Sequence, residues 1–238
     1  MKLPIALLAG GLATRLRPVT ERIPKALVEI NGLPFIDRQL ALLATRGVNH
    51  VVICAWYRGE LIQAHTGGGA RFGLKVEYSF DGPSPLGTAG ALKQALPLLG
   101  EAFLVLYGDS YLPCDYSRIE TTFLASGRTG LMTVYRNHNA GDRSNVEFTN
   151  GRILVYDKKR QAPGMDWIDY GLGALRAAAL ERIPAGAAYD LGDLYRELLA
   201  EDQLAGFEVQ ERFYEVGSFA GIEDFKQYLL NKGDSKDE

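Results

Sequence analysis

The chain has 238 residues, 47% of them hydrophobic, and a formal net charge of −3 at neutral pH. That length holds one large or two small domains and a substantial core. A net-negative chain lacks the broad basic surface of a nucleic-acid binder, and its two cysteines, Cys54 and Cys114, lack metal-ligand spacing.

Met1 runs directly into the apolar segment Leu3 to Leu8, read as a first buried strand. We therefore expect no signal peptide, and no apolar run reaches the length of a membrane span. The expectation is a soluble cytoplasmic protein with neither membrane nor nucleic-acid partners. The strand breaks at Gly10-Gly11, where positive φ and close backbone approach to a ligand are both possible. Four cations follow, Arg15, Arg17, Arg22 and Lys25, against one acid, Glu21. Glycine amides followed by cations suit a polyphosphate; a plain glycine turn with solvated arginines is the bland alternative.

Pro34 starts a helix predicted to run to about Arg46, with Gly47 as its stop. Val51–Trp56 reads as a strand holding the inert core thiol Cys54. Glu60–His65 reads as a short helix, Leu74–Phe80 as a strand, Thr88 to Leu98 as a helix and Phe103–Tyr107 as a strand ending at Gly108-Asp109. This alternation predicts a mainly parallel sheet covered on both faces, with ligands outside the carboxyl ends of its strands. Further strands are expected at Leu131–Tyr135 and Ile168–Leu175. A hairpin joins Val146–Thr149 to Arg152–Tyr156 through Asn150-Gly151, which suits a type I′ turn. Asp193–Ala200 reads as a helix, Gly206–Gln210 and Phe213–Val216 as short strands, and Gly221–Leu230 as a last helix.

The opening loop is neither a P-loop, which needs Gly-Lys-Ser/Thr, nor a G-x-G-x-x-G fingerprint. From Gly10 to Lys25 it resembles the opening motif of the sugar-1-phosphate nucleotidyltransferases, G-G-x-G-T-R-L-x-P-x-T followed by P-K. It matches at Gly10, Gly11, Thr14, Arg15, Leu16, Pro18, Thr20, Pro24 and Lys25, with Ala13 in place of the third glycine. The resemblance implies a Rossmann-like α/β fold with a mainly parallel mixed sheet, helices on both faces and a small β-rich sugar-binding lobe. It covers one nucleotidyltransferase domain over residues 1–230, leaving a frayed polar tail over 231–238.

The resemblance also implies roles. Arg15, Lys25 and Asp109 would be catalytic. Leu8, Gly10, Gly11, Ala13, Thr14, Asp81, Gly87 and Thr88 would bind the nucleotide; without the family, Thr88 reads as a simple helix N-cap. Asp109, in a Gly-Asp like the family's, would hold Mg²⁺ together with Glu215, which stands where the family has aspartate; Glu215 could equally be a surface glutamate. Asp157 and Lys158 stand where Glu-Lys contacts sugar and phosphate, or form a solvated basic turn. Asp169 replaces an asparagine that contacts the sugar. His50, His65 and His138 have no metal-pair spacing, and Trp56 and Trp167 read as packing residues that could also stack on a base.

The implied reaction joins an NTP to a sugar 1-phosphate, giving an NDP-sugar and pyrophosphate, with Mg²⁺ as cofactor. No glutamine lies between Tyr78 and Gly87, as pyrimidine-using relatives have. Asp81 does, and it tilts the reading towards GTP. The surroundings of Asp109 and Glu215 are most similar to the manno-heptose and mannose 1-phosphate guanylyltransferase branch. Uridylyl, cytidylyl and thymidylyl transfer stay open, as does a non-catalytic NDP-sugar-binding regulatory homologue. The family often forms dimers or tetramers, so a homo-oligomer is also implied.

Overall fold

A computed structural model describes residues 1–139 and 142–233. In chain order its strands and α-helices are β1 (Ile5–Leu8), β2 (Glu29–Ile30), β3 (Leu33–Pro34), α1 (Phe35–Thr45), β4 (His50–Ala55), α2 (Gly59–Thr66), β5 (Lys75–Phe80), α3 (Gly87–Leu99), β6 (Ala102–Tyr107) and β7 (Ser110–Tyr111). There follow α4 (Tyr116–Ser126), β8 (Gly130–Arg136), β9 (Val146–Thr149), β10 (Arg152–Tyr156), β11 (Trp167–Arg176), α5 (Leu191–Ala200), β12 (Leu204–Val209), β13 (Tyr214–Glu215) and α6 (Phe219–Asn231).

The main sheet follows the order β10-β9-β11-β6-β1-β4-β5, with β8 on the other side of β11 and β12 beside β8. Strands β1, β4, β5 and β6 are parallel, so their carboxyl ends share one edge. β11 turns the sheet mixed, running antiparallel to both β6 and β8. Apolar side chains on both faces explain why the central strands read as unbroken hydrophobic runs. Ile5 and Leu7 of β1 pack on one face with Ile36 and Leu40 of α1 and Ile119 and Phe123 of α4. Ala6 packs on the other with Leu92 of α3 and Leu194 of α5. The fold is thus the α/β sandwich expected from the alternation, with helices on both faces. A truncation such as Leu104→Ala, at a fully buried position, would cost about 2–5 kcal/mol.

The Asn150-Gly151 hairpin is present, with both residues at positive φ as a type I′ turn requires. It hangs on the Trp167 end of β11, over the edge where the parallel strands end. Two readings shift. Pro34 closes β3 and precedes α1 rather than opening its first turn. α3 begins at Gly87 with Leu86 as its N-cap, so Thr88 lies inside the helix. Asn231 ends α6, and residues 234–238 of the expected tail lie outside the described residues. Among the described residues no helix is long and apolar enough to cross a membrane.

Candidate active site

The carboxyl ends of β1, β4, β5 and β6 open into a cavity of about 410 Å³. Leu8, Gly10, Gly11, Lys25, Asp81, Gly87, Thr88 and Asp109 all line it, together with Trp56 and Tyr107. Its floor is set by Gly108. The Gly108 amide donates to Leu8 O over 3.0 Å, and a Cβ at Gly108 would collide with that carbonyl. β1 and β6 can therefore converge only on a glycine, and the next residue, Asp109, is delivered to the cavity.

Lys25 reaches the same point from the opening loop. Pro24 holds extended backbone, and Lys25 then opens a single 3-10 turn. Its Nζ lies 2.7 Å from Asp109 Oδ2, with both side chains largely buried. Ala13 and Thr14 lie outside the cavity lining. Ala13 adopts φ 47, ψ 46, the left-handed region where the resemblance expects glycine. Its carbonyl is tied by the Thr20 hydroxyl at 2.8 Å.

The other end of the chain closes the site. Glu215 pairs with Ser110 in the two-stranded ladder β7–β13, and the Val216 amide donates to Asp109 O over 2.9 Å. Asp109 and Glu215 are thereby set side by side. Burial pushes the Glu215 carboxyl above the usual range; the charges of Asp109 and then Asp142 add to this, and Arg15 and Lys25 oppose it. Arg15 Nη2 lies 4.0 Å from Glu215 Oε1. Both line a second cavity of about 560 Å³ with Asn137, Asp142 and Ser218. Two hard carboxylates that repel each other suit a divalent cation such as Mg²⁺, which takes few protein ligands when phosphate oxygens complete its shell. Among the described residues no group of three or more His, Cys, Asp or Glu forms a metal cage.

Asp81 follows β5. Its Oδ2 accepts from the Leu86 amide at 2.9 Å, fixing the loop into α3, and burial raises its pKa. Gly87 has φ +68, and a Cβ there would stand 2.6 Å from Tyr189 O. That carbonyl accepts from the Ala89 and Gly90 amides at 2.9 and 3.2 Å. The Thr88 hydroxyl accepts from the Leu191 amide at 2.6 Å and donates to Asp190 over 3.4 Å. Much of the first turn of α3 is thus tied to the strap before α5.

Lys158 and Asp169 come together. Lys158 Nζ is 3.3 Å from Asp169 Oδ2 and donates to Tyr107 OH, also over 3.3 Å. The Asp169 side chain is only 5% exposed. It also accepts from the Gly171 amide at 3.1 Å and from Tyr156 OH at 3.3 Å. Asp157 stands apart: its Oδ1 caps its own turn through the Lys159 and Arg160 amides, which hold its pKa down.

Tyr107, Asn145 and Asp142 carry no sequence signal of a role. Asn145 Oδ1 accepts from the Asp169 amide at 2.9 Å, which makes it the inner support of the Lys158–Asp169 pair. Trp167 is a packing residue, donating to Glu208 over 2.8 Å. Cys54 is inert by burial, which pushes its thiol up to about 12. His50 and His65 bond to Glu77 and Asp37 respectively, each over 2.7 Å.

The model of the Nucleotidyl transferase family matches residues 5–227. Over 211 residues the chain is 29% identical to the UTP–glucose-1-phosphate uridylyltransferase of Synechocystis sp., an alignment covering 81% of this chain and 54% of that protein. Over 217 residues it is 30% identical to the mannose-1-phosphate guanylyltransferase catalytic subunit beta of Danio rerio, covering 89% and 60%. The chain thus spans little more than half the length of these relatives. The solved structure of HddC from Yersinia pseudotuberculosis complexed with GMP-PN has the same fold, with a TM-score of 0.77 at 23% identity, covering 95% of this chain and 99% of that one.

Proposed function

Because the chain belongs to the nucleotidyl transferase family, we propose that it transfers a nucleotidyl group from an NTP to a sugar 1-phosphate, releasing pyrophosphate. The observation that carries this reading is the Lys25–Asp109 pair, 2.7 Å apart, in a cavity that Gly10 and Gly11 also line, with Glu215 paired to the residue that follows Asp109.

A sugar phosphate oxygen is already a competent nucleophile, so the reaction needs no protein base. What it needs is alignment of two anions and neutralisation of their repulsion. Lys25, at the junction of the two strand ends, holds the α-phosphate beside the incoming phosphate. The Gly10 and Gly11 amides and Arg15 take the remaining phosphates and the departing pyrophosphate. Lys158, steadied by Asp169, takes the sugar-phosphate end, with Asp157 at its rim. Mg²⁺, bound by Asp109 and Glu215, would supply further charge neutralisation between the two phosphates.

The base lies between Asp81 and Gly87. One Asp81 oxygen is used by Leu86, and the other can accept from guanine N1–H and N2–H, which supports GTP. The sugar class proposed with it is mannose or manno-heptose 1-phosphate. The two relatives differ in this respect, one using UTP with glucose 1-phosphate and the other guanylylating mannose 1-phosphate.

The test is pyrophosphate release with Mg²⁺, pairing GTP, UTP, CTP, dTTP and ATP with mannose, glucose, N-acetylhexosamine and manno-heptose 1-phosphates. Release with one pair establishes the transfer and names both substrates. Tight NDP-sugar binding without release would instead make the chain a binding homologue.

A further inference from the structure

Gln39 is a polar side chain on the buried stripe of α1, flanked by the core residues Ile36, Leu40 and Leu43, and it is 1% exposed. A buried amide in such a stripe costs stability unless it is hydrogen-bonded. Its Nε2 donates to Ser110 O over 2.9 Å and reaches Tyr107 O at 3.5 Å. These two carbonyls bracket Gly108-Asp109. Among the described residues its buried Oε1 has no hydrogen-bond partner, so the donor is the end of the amide that is used.

The Asp109 carboxylate is itself held by Lys25, and the backbone that carries it is tied at two points by other backbone groups. Gly108 bonds to Leu8 on the β1 side, and Val216 bonds to Asp109 O on the β13 side. Gln39 adds a side-chain tie to the loop backbone, from α1 beneath. Loss of that tie would loosen the Tyr107–Ser110 turn and with it the placement of the Asp109 carboxylate. An error of about 1 Å in such a group is enough to cost about a hundredfold in function.

We infer that Gln39 is a positioning residue, which fixes Asp109 beside Glu215 so that the two carboxylates converge on one divalent cation. The inference rests on the proposed metal role of Asp109. Gln39 touches neither substrate nor cation; it acts through the loop.

The test uses Mn²⁺ alone as a paramagnetic stand-in for Mg²⁺, titrated into the whole chain without nucleotide. The free-ion electron paramagnetic resonance signal is the readout. Gln39→Met keeps the side-chain length and removes the donor. Leu40→Val, on the next residue of the same helix, perturbs packing at a side chain that cannot hydrogen-bond to the loop. The expected result is about tenfold weaker Mn²⁺ binding in Gln39→Met and unchanged binding in Leu40→Val, with similar melting temperatures in the two variants. Gln39→Asn keeps an amide that falls short of Ser110, and it should weaken binding too; it takes over the test if Gln39→Met does not fold. Unchanged Mn²⁺ affinity in the Gln39 variants would overturn the inference, and so would equal weakening by Leu40→Val. Failure of the unaltered chain to bind Mn²⁺, with no pyrophosphate release in the substrate panel, would instead remove the metal reading and the inference with it.

Discussion

Lys25 and Asp109 form an ion pair of 2.7 Å at the point where the opening loop meets the end of β6. Their side chains are 17% and 24% exposed, so the pair is only partly screened by water. A lysine held against a strand-end aspartate has given up conformational freedom in advance of binding. That is the preorganisation a site for two approaching anions requires.

Lys25→Met and Asp109→Asn should therefore each lower turnover at least a hundredfold, the usual loss for one preorganised electrostatic group. Neither should unfold the chain, because the core does not depend on the pair. Pyrophosphate release and circular dichroism on the purified variants check both halves. Turnover near that of the unaltered protein in either variant would remove that residue from the mechanism.

Glu215 makes the site sensitive to pH. Burial, the Asp109 charge and the Asp142 charge all raise its folded pKa above the ordinary 4.5. The folded chain therefore holds this proton at pH values where the unfolded chain has lost it. Ionised Glu215 then opposes folding above its raised pKa, and the penalty vanishes below the ordinary value. Glu215→Gln should accordingly be more stable than the unaltered protein at neutral pH and lose that advantage as pH falls towards 4.5. Thermal melts across this range check the sign. The same protonation should weaken divalent-cation binding as pH falls through the raised pKa.

Lys158 and Asp169 should behave as one unit. Asp169 spends its oxygens on Gly171, Tyr156 and Lys158, so its main effect on a substrate passes through Lys158. Asp169→Asn and Lys158→Met should each raise KM for the sugar phosphate several-fold, leaving KM for the nucleotide nearly unchanged. In the Lys158→Met background, Asp169→Asn should add almost nothing, the mark of coupled neighbours. Additive effects in that double-mutant cycle would show that Asp169 meets the sugar directly.

Much of the parallel half was legible because its strands are buried on both faces and its glycines stand at strand ends. Gly10-Gly11 and Gly108-Asp109 follow apolar runs in the sequence, and all four residues line the cavity. Helix α4 was not legible. Its Thr121 and Thr122 hydroxyls bond back to Ser117 and Arg118 carbonyls over 2.9 Å, the habit that makes threonine an ambivalent helix residue. Of the β7–β13 ladder the sequence offers only β13, inside the expected strand Phe213–Val216; β7 is too short for any periodicity, and the pairing of the two is not legible. That ladder is what sets Glu215 against Asp109, so the sequence could offer Glu215 only by resemblance. Gln39 did carry a signal, a polar residue on the apolar stripe of α1, but a stripe does not say which carbonyl it meets.

Ala13 carries the last prediction. It holds φ 47, ψ 46, a conformation that costs an L-residue roughly 1–2 kcal/mol. The strain is kept because its carbonyl accepts both the Thr20 hydroxyl at 2.8 Å and the Leu16 amide at 3.0 Å, and Thr20 and Leu16 are buried beneath the loop. Ala13→Gly relieves the strain but gives the unfolded chain about 0.4–1 kcal/mol more conformational freedom to lose. The relief is the larger quantity, so the variant should gain about 0.5–1 kcal/mol and melt about 1–4 °C higher for a chain of this size. Ala13→Val should do the opposite, because a β-branched residue fits the left-handed region worse than alanine. Differential scanning calorimetry of the three proteins checks the order. A lower melting temperature in Ala13→Gly would mean that the alanine relieves the loop more through the unfolded state than it strains the folded one.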